Sequence, residues 1–129
     1  MLDGYIFYVG DKYQVEFYLS ENGRMLAKEQ VRDAPVAVKA KLAALVKIIA
    51  EEGSIFDKTK FRLVDRKERI YEFKPNKYRF FNFFFDGAKI IITNGYRKRA
   101  QKVDRKELKK AIQLKKDYIS RVERGGYYE

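Results

Sequence analysis

The chain has 129 residues, 46% of them hydrophobic, with ten Phe and ten Tyr, and its 29 Lys and Arg against 18 Asp and Glu give a net charge of +11. This length suits one domain, residues 1–129, with a real core, and the apolar content excludes disorder. With no His and no Cys, imidazole triads, thiol catalysis, disulfides and the usual zinc sites are excluded. Acid–base chemistry, if any, falls to Lys, Arg, Tyr, Asp or Glu.

In chain order, Tyr5–Val9 and Tyr13–Leu19 read as strands separated by Gly10-Asp11, a candidate hairpin. In the second run Tyr13, Val15, Phe17 and Leu19 share one face and Gln14, Glu16 and Tyr18 the other, which suits a sheet covered on one side. Glu21-Asn22-Gly23 is a turn, and Arg24–Val31 a short helix. Asp33 then stands as N-cap ahead of Ala34-Pro35. Val38, Leu42, Leu45, Val46 and Ile49 recur at helical spacing, and Gly53 marks the stop. Ile55–Lys60 connects to a short strand at Phe61–Val64. Asp65 to Glu68 is a charged turn into a strand at 69–74, closed by Pro75-Asn76.

The stretch Tyr71–Lys102 dominates the remainder. Tyr78–Phe85 and Lys89–Thr93 flank Asp86-Gly87, a strong hairpin signal. A basic exit follows, with Arg97, Lys98, Arg99 and Lys102. Asp104 and Glu107 form a capping-box pair, and Leu108, Ala111, Ile112, Ile119 and Val122 line the apolar stripe of a last helix that Gly125-Gly126 ends. The fold class is α+β: a mainly antiparallel sheet with two N-terminal helices on one face and a C-terminal helix. The helices are expected on one side, leaving the other face for a ligand.

No apolar run reaches the roughly 20 residues of a membrane-spanning helix. The start, Met1-Leu2-Asp3-Gly4, lacks a signal-peptide pattern, so a cytoplasmic protein is expected. The cationic surplus favours polyanions and is concentrated from Gly95 to Glu129, where twelve Lys and Arg face five Asp and Glu. A basic protein without such a ligand is the plain alternative.

The succession Tyr71-Glu72-Phe73-Lys74, Tyr78-Arg79-Phe80-Phe81-Asn82-Phe83, then Ile90–Thr93 and Asn94-Gly95-Tyr96-Arg97-Lys98-Arg99-Ala100-Gln101-Lys102 resembles the RelE/HigB-type toxins of toxin–antitoxin pairs, in their phage-related branch. The resemblance covers about Lys12 to Arg124. It implies a RelE-like fold and a small ribonuclease that cleaves messenger RNA, in many relatives only in the ribosomal A site. It also implies neutralisation by a cognate antitoxin, commonly a helix-turn-helix DNA-binding protein. The family's "HGF" histidine is Asn94 here, and its "ELR" arginine is Lys74.

Cleaving RNA without imidazole or metal requires fixed cations around the phosphorane formed when the 2′-OH attacks its neighbouring phosphate. Such a reaction needs no cofactor. Arg79, alone among aromatic residues and matching the family pattern, is the first candidate; a salt bridge to Glu72 is the alternative. Lys74 contacts phosphate or accepts the 2′-OH proton, unless it is simply a solvated lysine. Lys98 and Arg99 match the family's "KK", with Arg97 beside them, and at least one is expected on the scissile phosphate. Tyr96 stacks on a base, lends its hydroxyl or fills the core. Lys102 and Asn94 are further RNA contacts. Lys106, Lys109 and Lys110, with Lys116, form either a solvated helix face or a rail for ribosomal RNA. Two other functions stay open: a ParE-like DNA gyrase inhibitor that cuts nothing, and an RNA-binding protein without catalysis.

Overall fold

The apolar runs at Tyr78–Phe85 and Lys89–Ile92 become the middle of a six-stranded sheet. The computed structural model describes residues 2–128; Met1 and Glu129 lie outside the described residues. After a short 3-10 turn at Leu2–Tyr5 come β1 (Ile6–Val9), β2 (Gln14–Phe17), α1 (Leu26–Asp33), α2 (Val36–Glu52), β3 (Phe61–Asp65), β4 (Ile70–Phe73), β5 (Tyr78–Phe85), β6 (Lys89–Arg97) and α3 (Arg105–Glu123). Across the sheet the order is β1-β2-β6-β5-β4-β3. Neighbours are antiparallel except β2 and β6, which run parallel because both helices and three strands intervene between them. The fold is α+β, two helices preceding β3–β6 and one following.

Local chemistry explains most boundaries. Asp86 and Gly87 both have positive φ, 57° and 68°, as a type I′ turn requires, and they fold β5 onto β6. Gly53 ends α2 in the left-handed region at φ 94° and donates to the Ile49 carbonyl. One expected cap is not formed. Asp33 is the last residue of α1, and α2 starts from Pro35 without a side-chain cap. The proline holds Ala34 extended, at ψ 158°, so the helix begins only after Pro35 and leaves Asp33 too far upstream to reach its N–H groups.

Both faces of the sheet are covered. Val15, Phe17, Phe73, Phe80, Ile90 and Ile92 pack against Val38, Leu42, Leu45, Val46 and Ile49 of α2. The alternate residues Phe81, Phe83, Ile91 and Ile70 pack against Leu108, Ala111 and Tyr118 of α3. The expectation of a second, open face is therefore corrected. Glu16 and Tyr18, read as outward-facing, are buried. The sign was in the sequence: β5 and β6 carry continuous apolar runs, which is the pattern of strands buried on both sides. Among the described residues no helix is long and apolar enough to cross a membrane.

Candidate active site

Strand β6 extends to Arg97, five residues past Ile92, and it does so through a bulge. Register against β5 is regular at Asn82↔Ile92 and at Phe81↔Asn94, leaving Thr93 as the extra residue. The Thr93 hydroxyl donates to the Phe81 carbonyl, and the Asn82 amide donates to Phe80 and Tyr71 carbonyls, so the broken ladder is largely satisfied. A bulge shifts the phase of every residue beyond it. Asn94, Tyr96 and Lys98 consequently turn to the α3 side, and Gly95 faces the α2 side. A Cβ on Gly95 would overlap the Phe80 ring lying across it, so a side chain is not tolerated there without movement.

On that α3 side, Arg79 stands opposite Tyr96. Continuing the β4–β5 register one step beyond Phe73↔Phe80 brings Lys74 opposite Arg79. One residue pair along, Arg62 stands opposite Glu72. Helix α3 covers only the far part of this face, and the segment leading into it walls off the rest. The result is a cleft of about 220 Å³ lined by Arg62, Glu72, Lys74, Arg79, Tyr96, Lys98, Gln101, Lys102 and Val103. Five cations therefore surround a single carboxylate.

Arg79 is buried without a carboxylate partner among the described residues. Its Nη1 donates to the carbonyls of Asn76 and Tyr78, both at 2.8 Å, which fixes the guanidinium plane. The alternative of an Arg79–Glu72 salt bridge is not realised, because Glu72 is taken by Arg62, Nε to Oε2 at 2.6 Å. Glu72 is only 1% exposed, and its second oxygen, Oε1, has no hydrogen-bond partner among the described residues. A buried carboxylate oxygen left unpaired is costly, and Glu72 forms part of the cleft wall.

The cations disturb one another. Burial lowers the Lys74 pKa from its ordinary value, and Arg62, Arg79 and Lys98 lower it further against the opposing pull of Glu72. The Lys74 ammonium donates to the Lys58 carbonyl at 3.1 Å. Burial also lowers the Arg79 pKa, with Glu72 opposing, although a guanidinium stays charged in any ordinary solution. Tyr96 is raised, first by burial, so its phenol is neutral. Its oxygen accepts from the Asp104 N–H at 3.2 Å, which leaves the hydroxyl proton free for a ligand. Its ring packs on Phe81. Tyr96 thus fills core and lines the cleft at once.

The sequence candidates divide accordingly. Arg79, Lys74, Lys98, Tyr96 and Lys102 meet in the cleft. Arg99 lies outside it, in a neighbouring depression with Lys77, and Lys98 borders both. Arg97, at the end of β6, is exposed and turned to the opposite side by the bulge. Asn94 is buried, and its amide is committed to the Glu107 carbonyl and carboxylate at 3.1 and 3.0 Å. That contact takes Glu107 away from the expected reciprocal cap: Asp104 accepts from the Glu107 N–H at 3.0 Å, but its own N–H goes to Tyr96. Lys106, Lys109 and Lys110 are exposed on α3, beyond the cleft wall. Lys110 lies 3.8 Å from Glu107, and Lys116 lies 3.9 Å from Glu68.

Arg62, Gln101 and Val103 complete the cleft without having stood out in the sequence. For Arg62 the one signal was arginine in a short strand next to a strand carrying Glu72, and pairing register cannot be read without the intervening turn. Among known proteins, a family model described as "Phage derived protein Gp49-like (DUF891)" matches residues 29–116, about two thirds of the chain. The matched stretch contains Arg62, Glu72, Lys74, Arg79, Tyr96 and Lys98. No curated protein matches the chain.

Proposed function

Because the chain belongs to the phage-derived, Gp49-like family, which is toxin-like and RelE-related, we propose that it is the toxin of a toxin–antitoxin pair and cleaves messenger RNA, engaged on the ribosome, in the cleft between β4, β5 and β6. One observation carries the reading. Arg79, Lys74 and Lys98 line a single cleft together with Glu72, a buried carboxylate whose Oε1 has no partner among the described residues.

The chemistry follows from the positions. An RNA phosphate enters against Arg79, Lys74 and Lys98, where its charge replaces mutual repulsion with attraction. A small turn of the Glu72 side chain brings Oε1 to the adjacent ribose 2′-OH, whose proton it accepts. The 2′-oxygen bonds to phosphorus, and the bond from phosphorus to the 5′-oxygen breaks. Lys74, whose proton is loosened by burial and by neighbouring cations, gives that proton to the departing 5′-oxygen. The products are a 2′,3′-cyclic phosphate and a 5′-hydroxyl. One proton has moved from the 2′-OH to the 5′-oxygen, and transfer from Glu72 to Lys74 restores both groups.

Arg79 is the main stabiliser of the phosphorane. Its plane is already fixed by two backbone carbonyls, so little reorganisation is needed as charge builds on the equatorial oxygens. Lys98 supports the same oxygens, and the Tyr96 hydroxyl donates to one of them. Arg62 is a positioning residue that holds Glu72 through Oε2. Lys102 and Arg99 follow the backbone on either side, while Lys106 and Lys109 meet more distant phosphates without reading sequence. The partner implied by the family is a cognate antitoxin.

Expression of the wild type and Arg79→Ala in bacterial cells, with mapping of transcript 5′ ends, tests the proposal. Growth arrest with new 5′ ends is expected from the wild type, and neither from Arg79→Ala. Double-strand DNA breaks with intact transcripts would instead assign a gyrase-poisoning role. RNA binding that falls steeply with salt but leaves RNA uncut would assign binding alone.

A further inference from the structure

Strand β3 is the last strand of the sheet, and its outer edge combines features the proposed reaction does not use. The Lys74 N–H donates to the Lys60 carbonyl at 2.8 Å, which sets residues 60 and 62 as the ones bonded to β4. By the antiparallel rule, the N–H and C=O of Leu63 and the C=O of Phe61 then point outward. Leu63 is 38% exposed. Such an edge is a template for another extended segment.

The two faces beside this edge differ in chemistry. On the α2 side lies a groove of about 620 Å³, walled by Ile55, Phe56, Phe61, Leu63, Tyr71 and Phe84. Phe56 is 89% exposed, far more than a core aromatic. The groove is also bordered by Lys58, Arg62 and Arg66, and no carboxylate lines it. On the α3 side lies the cationic cleft, and Arg62 borders both. A strand laid along β3 sends alternate side chains to these two faces.

We infer that β3 is the docking edge for an extended, acidic protein segment in which apolar and acidic residues alternate. Its backbone pairs with Leu63 and Phe61, its apolar side chains fill the groove over Phe56, and its carboxylates meet Arg62 and the mouth of the cleft. A peptide suits this site better than RNA, because the groove is apolar, the free backbone groups require a strand, and the phosphate cleft lies on the opposite face. The inference rests on the toxin reading only for the identity of the partner, an antitoxin segment, which would then shield the cleft by lying at its mouth.

The test uses binding alone. A fluorescein-labelled octapeptide alternating glutamate with valine and phenylalanine is titrated with the full chain and followed by anisotropy. A peptide of the same composition with its glutamates in one block is the control. A 2′-deoxy oligonucleotide, which cannot be cut, reports on the cleft. The alternating peptide is expected to bind at least tenfold more tightly than the block peptide. Phe56→Ser is expected to weaken it at least tenfold, as is Leu63→Pro, which removes an outward N–H without removing a ladder bond. Both variants should keep the oligonucleotide within threefold of wild type, which also shows that they are folded. Equal binding of the two peptides, or peptide affinities within threefold of wild type for both variants, would overturn the inference. Loss of the oligonucleotide but not the peptide in Phe56→Ser would give the groove to nucleic acid instead. Because nothing is cleaved, a protein without ribonuclease activity still passes or fails this test.

Discussion

Arg79→Ala removes the group on which the proposed chemistry leans most, and the structure sets the size of the effect. The guanidinium uses Nη1 for the Asn76 and Tyr78 carbonyls, leaving its other N–H groups to the cleft. It is buried, so its charge acts in a medium of lower dielectric than water. Loss of one preorganised donor of this kind costs about 10²–10³ in kcat, or about 2.7–4 kcal/mol. Arg79→Lys keeps the charge but cannot hold two carbonyls and still present a planar fork, so it should recover no more than about tenfold of the loss. Ground-state binding should suffer less than kcat, since Lys74 and Lys98 remain. The assay is single-turnover cleavage of RNA on programmed ribosomes, with affinity for a 2′-deoxy analogue measured separately. The freed carbonyls lie beside a solvent-exposed turn and can take water, so the fold, checked by circular dichroism, should persist. A kcat within threefold of wild type in a folded Arg79→Ala would refute the reasoning.

Glu72→Gln keeps a hydrogen bond to Arg62 but takes away the proton acceptor, and kcat should fall by about 10²–10⁴. The same variant should bind the 2′-deoxy analogue at least as tightly as wild type, because a negative charge has left the cleft; weaker binding would mean that Glu72 merely holds the site together. Gly95→Ala drives a methyl group into the Phe80 ring and should cost about 1–3 kcal/mol, seen as a melting temperature lower by several degrees; an unchanged melting temperature would contradict that packing. Burial, with a hydrogen bond to Asp117, raises the Tyr18 pKa to about 12, and burial raises Tyr118 to about 12. Folded values above the unfolded value near 10 mean that stability is full below pH 10 and is lost as pH climbs from 10 to 12. Circular dichroism against pH, beside phenolate absorbance, should show unfolding in that window; two phenols titrating near pH 10 in an intact fold would disagree.

The strands and the helical core were legible because periodicity and turn chemistry act locally. Val38, Leu42, Leu45, Val46 and Ile49 face the sheet as their spacing requires, and Asp86-Gly87 supplies the two positive φ angles its hairpin needs. The side of the sheet taken by α3 was also in reach, since Phe80, Phe81 and Phe83–Phe85 leave no polar face apart from Asn82. The bulge at Thr93 was not legible. Nothing in Ile92-Thr93-Asn94 marks an extra residue, yet it decides that Tyr96 and Lys98, rather than Gly95 and Arg97, look into the cleft. The same shift buries Asn94 against Glu107. Arg62 was hidden for a related reason: its partner Glu72 is ten residues away, and the end of β3 between them, from Leu63 to Asp65, carries a second irregularity of register.

The central claim is that a ribose hydroxyl, activated in this cleft, attacks its own phosphate. The most direct measurement gives the purified chain ribosomes programmed with a short message, and compares it with the same message carrying one 2′-deoxy nucleotide at the mapped cut. The account predicts a 2′,3′-cyclic phosphate and a 5′-hydroxyl from the first, and no cut at that position in the second. Cleavage of the 2′-deoxy message at the same place, or a 5′-phosphate on the product, would contradict it.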